Sequence, residues 1–114
     1  GGSEGTVNFM PPEQFEGKSC MASDVWALGV ILYILTTNDT PYAQQNDQYP
    51  ADIDTAVKSK APAKVNPLVP LELDRIIMTC LQTDLKKRYS NATNLLGDLV
   101  TTFPEFGRGE IIPA

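Results

Sequence analysis

Between Val25 and Leu35 the chain reads VWALGVILYIL, eleven residues with no charge among them. As a helix this run is apolar on every side, whereas a surface helix keeps a polar face. It spans only about 17 Å at 1.5 Å per residue, well short of the hydrocarbon core of a bilayer. It is therefore expected to be a buried core helix, beginning near Asp24 and ending near Thr37, with other elements around it. Ser23 or Asp24 is the expected cap, and Asn38-Asp39-Thr40-Pro41 is a stop signal followed by proline.

The remaining chain supplies elements to pack on this rod. Met10-Pro11-Pro12 blocks a helix running through that point, and Pro12 suits the first position of a short helical turn ended by Gly17. Ala51–Lys58 reads as a short helix. Residues 61–70 hold three prolines and are expected to be extended. Leu73, Ile76, Ile77, Cys80 and Leu81 form one apolar stripe at helical spacing, opposite Glu72, Asp74, Arg75 and Thr79. Ser90 or Asn91 caps a last helix with Ala92, Leu95, Leu96 and Leu99 on one side. Residues 101–114 are expected to trail irregularly. No repeat and no alternating β pattern occurs. The sum is an all-α assembly of about four helices.

Charge and composition exclude several functions. Fourteen acidic residues against nine Lys and Arg give −5, which argues against nonspecific nucleic-acid binding and an anionic membrane surface. No membrane insertion is expected. There is no His, so the commonest general base and metal ligand is missing. Cys20 and Cys80 have no paired spacing and read as free thiols of an intracellular, cytoplasmic protein. No carboxylates have metal-ligand spacing. Gly1, Gly2 and Gly5 lack the strand and the Lys-Ser/Thr of a phosphate loop.

Individual charged residues stay ambiguous on spacing alone. Asp24 is an N-cap or a carboxylate that holds the backbone of another segment. Glu13 and Arg88 lie 75 residues apart, and taken singly both read as surface residues. Lys86 and Lys87 read as a solvated helix end. Thr6, Thr36 and Thr37 have no group nearby to activate them. Nothing in these patterns is a self-contained active site.

Three stretches, in order, resemble the eukaryotic-type serine/threonine protein kinases, bacterial members included. Gly5-Thr6-Val7-Asn8-Phe9-Met10-Pro11-Pro12-Glu13-Gln14 is similar to the end of a kinase activation segment, G-T-x-x-Y-M-A-P-E-Q. Phe9 stands where tyrosine is usual and Pro11 where alanine is usual. Ser23-Asp24-Val25-Trp26-Ala27-Leu28-Gly29-Val30 resembles the family's central F helix, S-D-x-W-x-x-G-V, and Pro41-Tyr42 fits the segment that follows it. Leu73 to Leu81, Asp84 and Lys87-Arg88-Tyr89 resemble the H helix and the arginine-bearing turn after it.

The resemblance implies an all-α, kinase-like C-lobe fragment built around a buried central helix at about 24–37. It implies a linker or activation-loop remnant at 1–4, the C-terminal portion of a kinase domain at 5–100 and an irregular tail at 101–114. Glu13 would pair with Arg88. Asp24 would hold the catalytic loop's backbone, Trp26 would be structural, and Thr6 would help position the substrate residue. The glycine-rich loop, strand lysine, H-R-D-x-x-x-x-N and D-F-G motifs do not occur in these 114 residues. No catalytic, cofactor or metal residue is therefore expected here; ATP and magnesium are implied for the full domain only.

Whether these residues form an enzyme by themselves is left open. The function implied is the substrate-positioning and structural part of a Ser/Thr kinase, inactive alone. The alternative is a stand-alone, kinase-derived or pseudokinase interaction module. The expected partners are a protein substrate or the missing part of the kinase domain. Self-association is expected where Trp26, Ile31 or Leu35 lacks cover.

Overall fold

The computed structural model describes residues 9–42 and 52–108. Among the described residues there are seven helical segments and no strand. They are α1 (Pro12–Phe15), α2 (Met21–Thr37), α3 (Ile53–Ser59), α4 (Pro62–Val65), α5 (Leu71–Cys80), α6 (Ala92–Thr102) and α7 (Pro104–Arg108). No described helix is long and apolar enough to cross a membrane.

The apolar rod is α2, and it starts three residues earlier than Asp24. Its N-cap is Cys20, in extended backbone, so neither Ser23 nor Asp24 caps it. Asp24 lies inside the first turn, where a carboxylate favours the positive end of the helix dipole. The far end stops at Asn38, whose left-handed φ of 56° carries its N–H to Ile34 O at 2.8 Å. The Thr36 and Thr37 hydroxyls fold back onto the carbonyls of Leu32 and Tyr33.

Among the described residues, only one side of α2 is covered. Ala22, Val25, Trp26, Gly29, Val30 and Tyr33 recur at intervals of three and four and are buried against α4, α5 and α6. Met21, Leu28, Ile31 and Leu35 recur at the same intervals on the other side and are exposed, Leu35 at 76% and Met21 at 71%. The expectation of a rod enclosed all round is thus corrected. Trp26 is fully buried, while Ile31 and Leu35 are the residues left without cover.

Two apolar clusters meet along the covered side. One joins Trp26, Val30, Tyr33 and Tyr42 to Val57, Ile77 and Leu81. The other joins Val25 to Ile76, Cys80 and Leu95. Gly29 sits where α2 crosses α5. A Cβ at that position would overlap the Cβ of Cys80 and stand 3.3 Å from Leu81 Cδ2. The absent side chain is what lets the helices close.

Two prolines-and-loop expectations give way to short helices. Residues 62–65 form α4 because Pro62 is preset for a first helical position and Asp74 Oδ1 accepts from Ala63 N–H at 2.8 Å. Asn66 Nδ2 then donates to Thr36 O at 2.9 Å, fixing the turn to the end of α2. Pro104 likewise begins α7, within the stretch expected to be irregular. Asp52 caps α3 and Asn91 caps α6, each accepting from the backbone N–H three residues on.

Both cysteines are free, Cys20 exposed and Cys80 buried. Burial pushes the Cys80 thiol up to about 12. A disulfide-exchange reagent at neutral pH is therefore expected to titrate one thiol in the folded chain and two in guanidinium. Rapid native reaction of both would mean that α2 and α5 separate readily.

Candidate functional site

Among the described residues, charge enters the interior where the α1 turn meets the connection between α5 and α6. Glu13 sits in the first turn of α1, and Gly17, with φ of 73°, turns the chain so that Lys18 N–H donates to Glu13 O at 3.0 Å. This tight turn delivers the Glu13 carboxylate to the start of α2. Arg88 comes from the connection between α5 and α6. The two side chains are 8% and 0% exposed and meet across 75 residues of sequence.

Their geometry is bidentate. Arg88 Nη1 donates to Glu13 Oε2 at 2.7 Å and Nη2 donates to Oε1 at 2.9 Å. Nη1 also donates to Ala22 O at 3.0 Å and Nε to Gln82 O at 2.9 Å. The guanidinium stacks 5.1 Å from the Trp26 ring centroid. Trp26 in turn donates from Nε1 to Tyr42 Oη at 3.3 Å. A buried guanidinium is costly unless its donors are used, and here both ends of the fork and Nε are engaged. Burial pushes the Glu13 carboxyl up, but hydrogen bonds from Arg88 and Ser23 outweigh it, leaving its pKa below the usual 4.5.

The structure treats the residues singled out in the sequence differently. Glu13, Arg88 and Trp26 are brought together. Asp24 is exposed and has no hydrogen-bond partner among the described residues. It lies on the α2 side that carries Leu28, Ile31 and Leu35, four, seven and eleven residues further along the helix. Thr6 lies outside the described residues, within the stretch 1–8.

Sequence reasoning missed the participation of Ser23 and of two carbonyls. Ser23 is 4% exposed, and its Oγ donates to Glu13 Oε2 at 2.8 Å while accepting Cys20 N–H at 3.0 Å. Its position three residues after the true N-cap is a signal, but only once the helix start is known. The carbonyls of Ala22 and Gln82 carry no sequence signal, since every residue has one.

Beside α2 the open side forms an apolar groove of about 300 Å³ against α6, lined by Leu28, Ile31, Leu32, Leu95, Leu96 and Leu99. Leu96, on the apolar side of α6, is 58% exposed in this groove.

The family model described as protein kinase domain matches residues 2–99. The chain belongs to the protein kinase domain family. It is 29% identical, over 93% of its length, to a probable serine/threonine-protein kinase PknB of Lactococcus lactis, of which it covers 17%. To the serine/threonine-protein kinase PrkC of Bacillus subtilis it is 29% identical over 87% of its length, covering 15% of that protein. To the serine/threonine-protein kinase PknD of Chlamydia abortus it is 34% identical over 83%, covering 10%. The chain thus spans about a sixth or less of these curated relatives. It is a kinase catalytic-domain fragment, all-α and C-lobe-like, with the bidentate clasp between its first helix and the connection from α5 to α6.

Proposed function

We propose that these residues form the substrate-side and structural base of a serine/threonine protein kinase, whose full domain transfers the γ-phosphoryl group of ATP to a protein hydroxyl. The observation that carries this reading is the Glu13–Arg88 pair. It fastens residues 9–16, the end of the segment that resembles an activation segment, to the helical floor formed by α2, α5 and α6. Anchored there, the loop around Thr6 would present the acceptor residue, and Thr6 would be a positioning group.

The open side of α2 supports the same reading. A carboxylate at one end and an apolar strip from Leu28 to Leu35 suit a cover with backbone N–H donors above Asp24 and an apolar helix below. In this reading the missing part of the kinase domain supplies both, together with the groups that hold ATP and magnesium. Asp24 then steadies the catalytic loop, and Trp26 holds Arg88 in place. A second copy of the chain is the alternative cover, as a kinase-derived interaction module would use it.

The test is phosphoryl transfer from labelled ATP to a generic acceptor protein. The 114 residues alone are expected to give background counts. A chain that joins these residues to H-R-D and D-F-G motifs upstream is expected to give turnover. Transfer by the isolated residues, or an upstream sequence without those motifs, would overturn the assignment.

A further inference from the structure

The Ser23 hydroxyl has a carboxylate oxygen as its near acceptor, with Cys20 Sγ further off at 3.8 Å from Oγ. Its Oγ accepts the Cys20 N–H at 3.0 Å, so its own hydrogen is free to point at Glu13 Oε2, 2.8 Å away. Oε2 receives the Arg88 Nη1 hydrogen at the same time. Two elements therefore grip one carboxylate oxygen: the first turn of α2 and the connection after α5. A bidentate arginine alone leaves the carboxylate free to rock about the axis of the pair. A third donor from a different element removes that freedom. It also links the α1 turn directly to the N-terminus of the central helix, bypassing Arg88.

We propose that Ser23 is a positioning residue, a fixed hydroxyl donor that sets the Glu13 carboxylate and so locks the end of the activation-like segment to the start of α2. The inference rests on the kinase reading only for its consequence for substrate, not for the joint itself. Ser23 senses the charge on Glu13. With the carboxylate ionised, the hydroxyl donates to a charged acceptor; protonation removes that charge and weakens the bonds from both Ser23 and Arg88, loosening the joint.

The other charged groups around Glu13 are known. Arg88 faces it from the connection after α5. Glu16 and Lys18 lie on its own turn, and Asp84 and Lys86 stand across a cleft beside it. Replacing Ser23 changes none of these, so the comparison isolates the hydroxyl.

The experiment measures thermal midpoint against pH for the longest expressible chain containing these residues, as wild type, Ser23→Ala, Ser23→Thr and Glu13→Gln with and without Ser23→Ala. Loss of the Cys20 N–H acceptor lowers the midpoint of Ser23→Ala at all pH values and is not diagnostic. The diagnostic result is that its acid-side decline begins about 1 pH unit higher than in wild type. Ser23→Thr keeps the wild-type onset, and in the Glu13→Gln background Ser23→Ala leaves the onset where it is. An unchanged onset in Ser23→Ala overturns the proposal. In the active kinase, Ser23→Ala is expected to raise KM for the protein acceptor several-fold with KM for ATP unchanged; equal acceptor KM overturns the link to substrate. If wild type transfers no phosphate, the kinase reading fails while the pH profiles still decide the joint.

Discussion

Arg88→Ala is expected to destabilise the chain by about 3–5 kcal/mol at neutral pH, because it strands a buried carboxylate rather than merely deleting a contact. The same change leaves the carbonyls of Ala22 and Gln82 without their donors and exposes one face of Trp26. Against a total stability of about 5–15 kcal/mol for an ordinary domain, this is a large share. Arg88→Lys keeps a charge but loses the fork, so it is expected to fall between alanine and wild type. Acid supplies a second reading of the same pair. The folded pKa of Glu13 lies below 4.5, so its contribution is complete above 4.5 and is lost as pH falls through the lowered value. In Arg88→Ala the burial remains and the partner is gone, so the carboxyl titrates high and acidification relieves the deficit. Urea melts at pH 7 and pH 4 check this: the gap between variant and wild type narrows at the lower pH. A neutral-pH loss below about 1 kcal/mol would show that the clasp is solvent-exposed in practice.

Gly29→Ala is the second large effect, and its cause is a single atom. The added Cβ would overlap the Cβ of Cys80, which belongs to the rigid stem of a buried residue on α5. No rotamer change relieves this, so α2 and α5 must move apart. Overpacking of this kind costs about 1–3 kcal/mol and sometimes more, against a gain of about 1 kcal/mol from replacing glycine by alanine in a helix. Because both Cβ atoms are fixed to backbone, the cost is expected at the upper end of that range, a net loss of about 2 kcal/mol that grows with Gly29→Val. Cys80→Gly in the Gly29→Ala background removes the facing Cβ and is expected to recover part of the loss. A Gly29→Ala chain that melts like wild type would show that the helices cross elsewhere than at this glycine.

Much of the architecture is written locally. The long apolar run, the α5 stripe, the Asn91 cap and the proline before α1 each act through spacing or through a fixed φ. Those signals need no knowledge of the rest of the chain. Helix starts were harder. Cys20 caps α2 through extended backbone rather than through a strong capping side chain, so the sequence pointed three residues too late. The α4 turn hid among prolines because its support comes from Asp74 on α5 and from the Thr36 carbonyl on α2, which lie on other segments. The family resemblance named Glu13 and Arg88, whereas their composition and spacing alone put them on the surface.

Sequence by itself determined that a helix without a polar face begins near Asp24, because eleven uncharged residues leave it no side to offer water. It also determined the kinase motifs around that helix, since these are runs of neighbouring residues. Only the tertiary structure decided which side of the helix is covered, because Trp26 and Leu35 are equally apolar and differ only in what lies opposite them. It alone decided that Ser23 joins the clasp, since a hydroxyl's partner is chosen by distance and direction rather than by residue type.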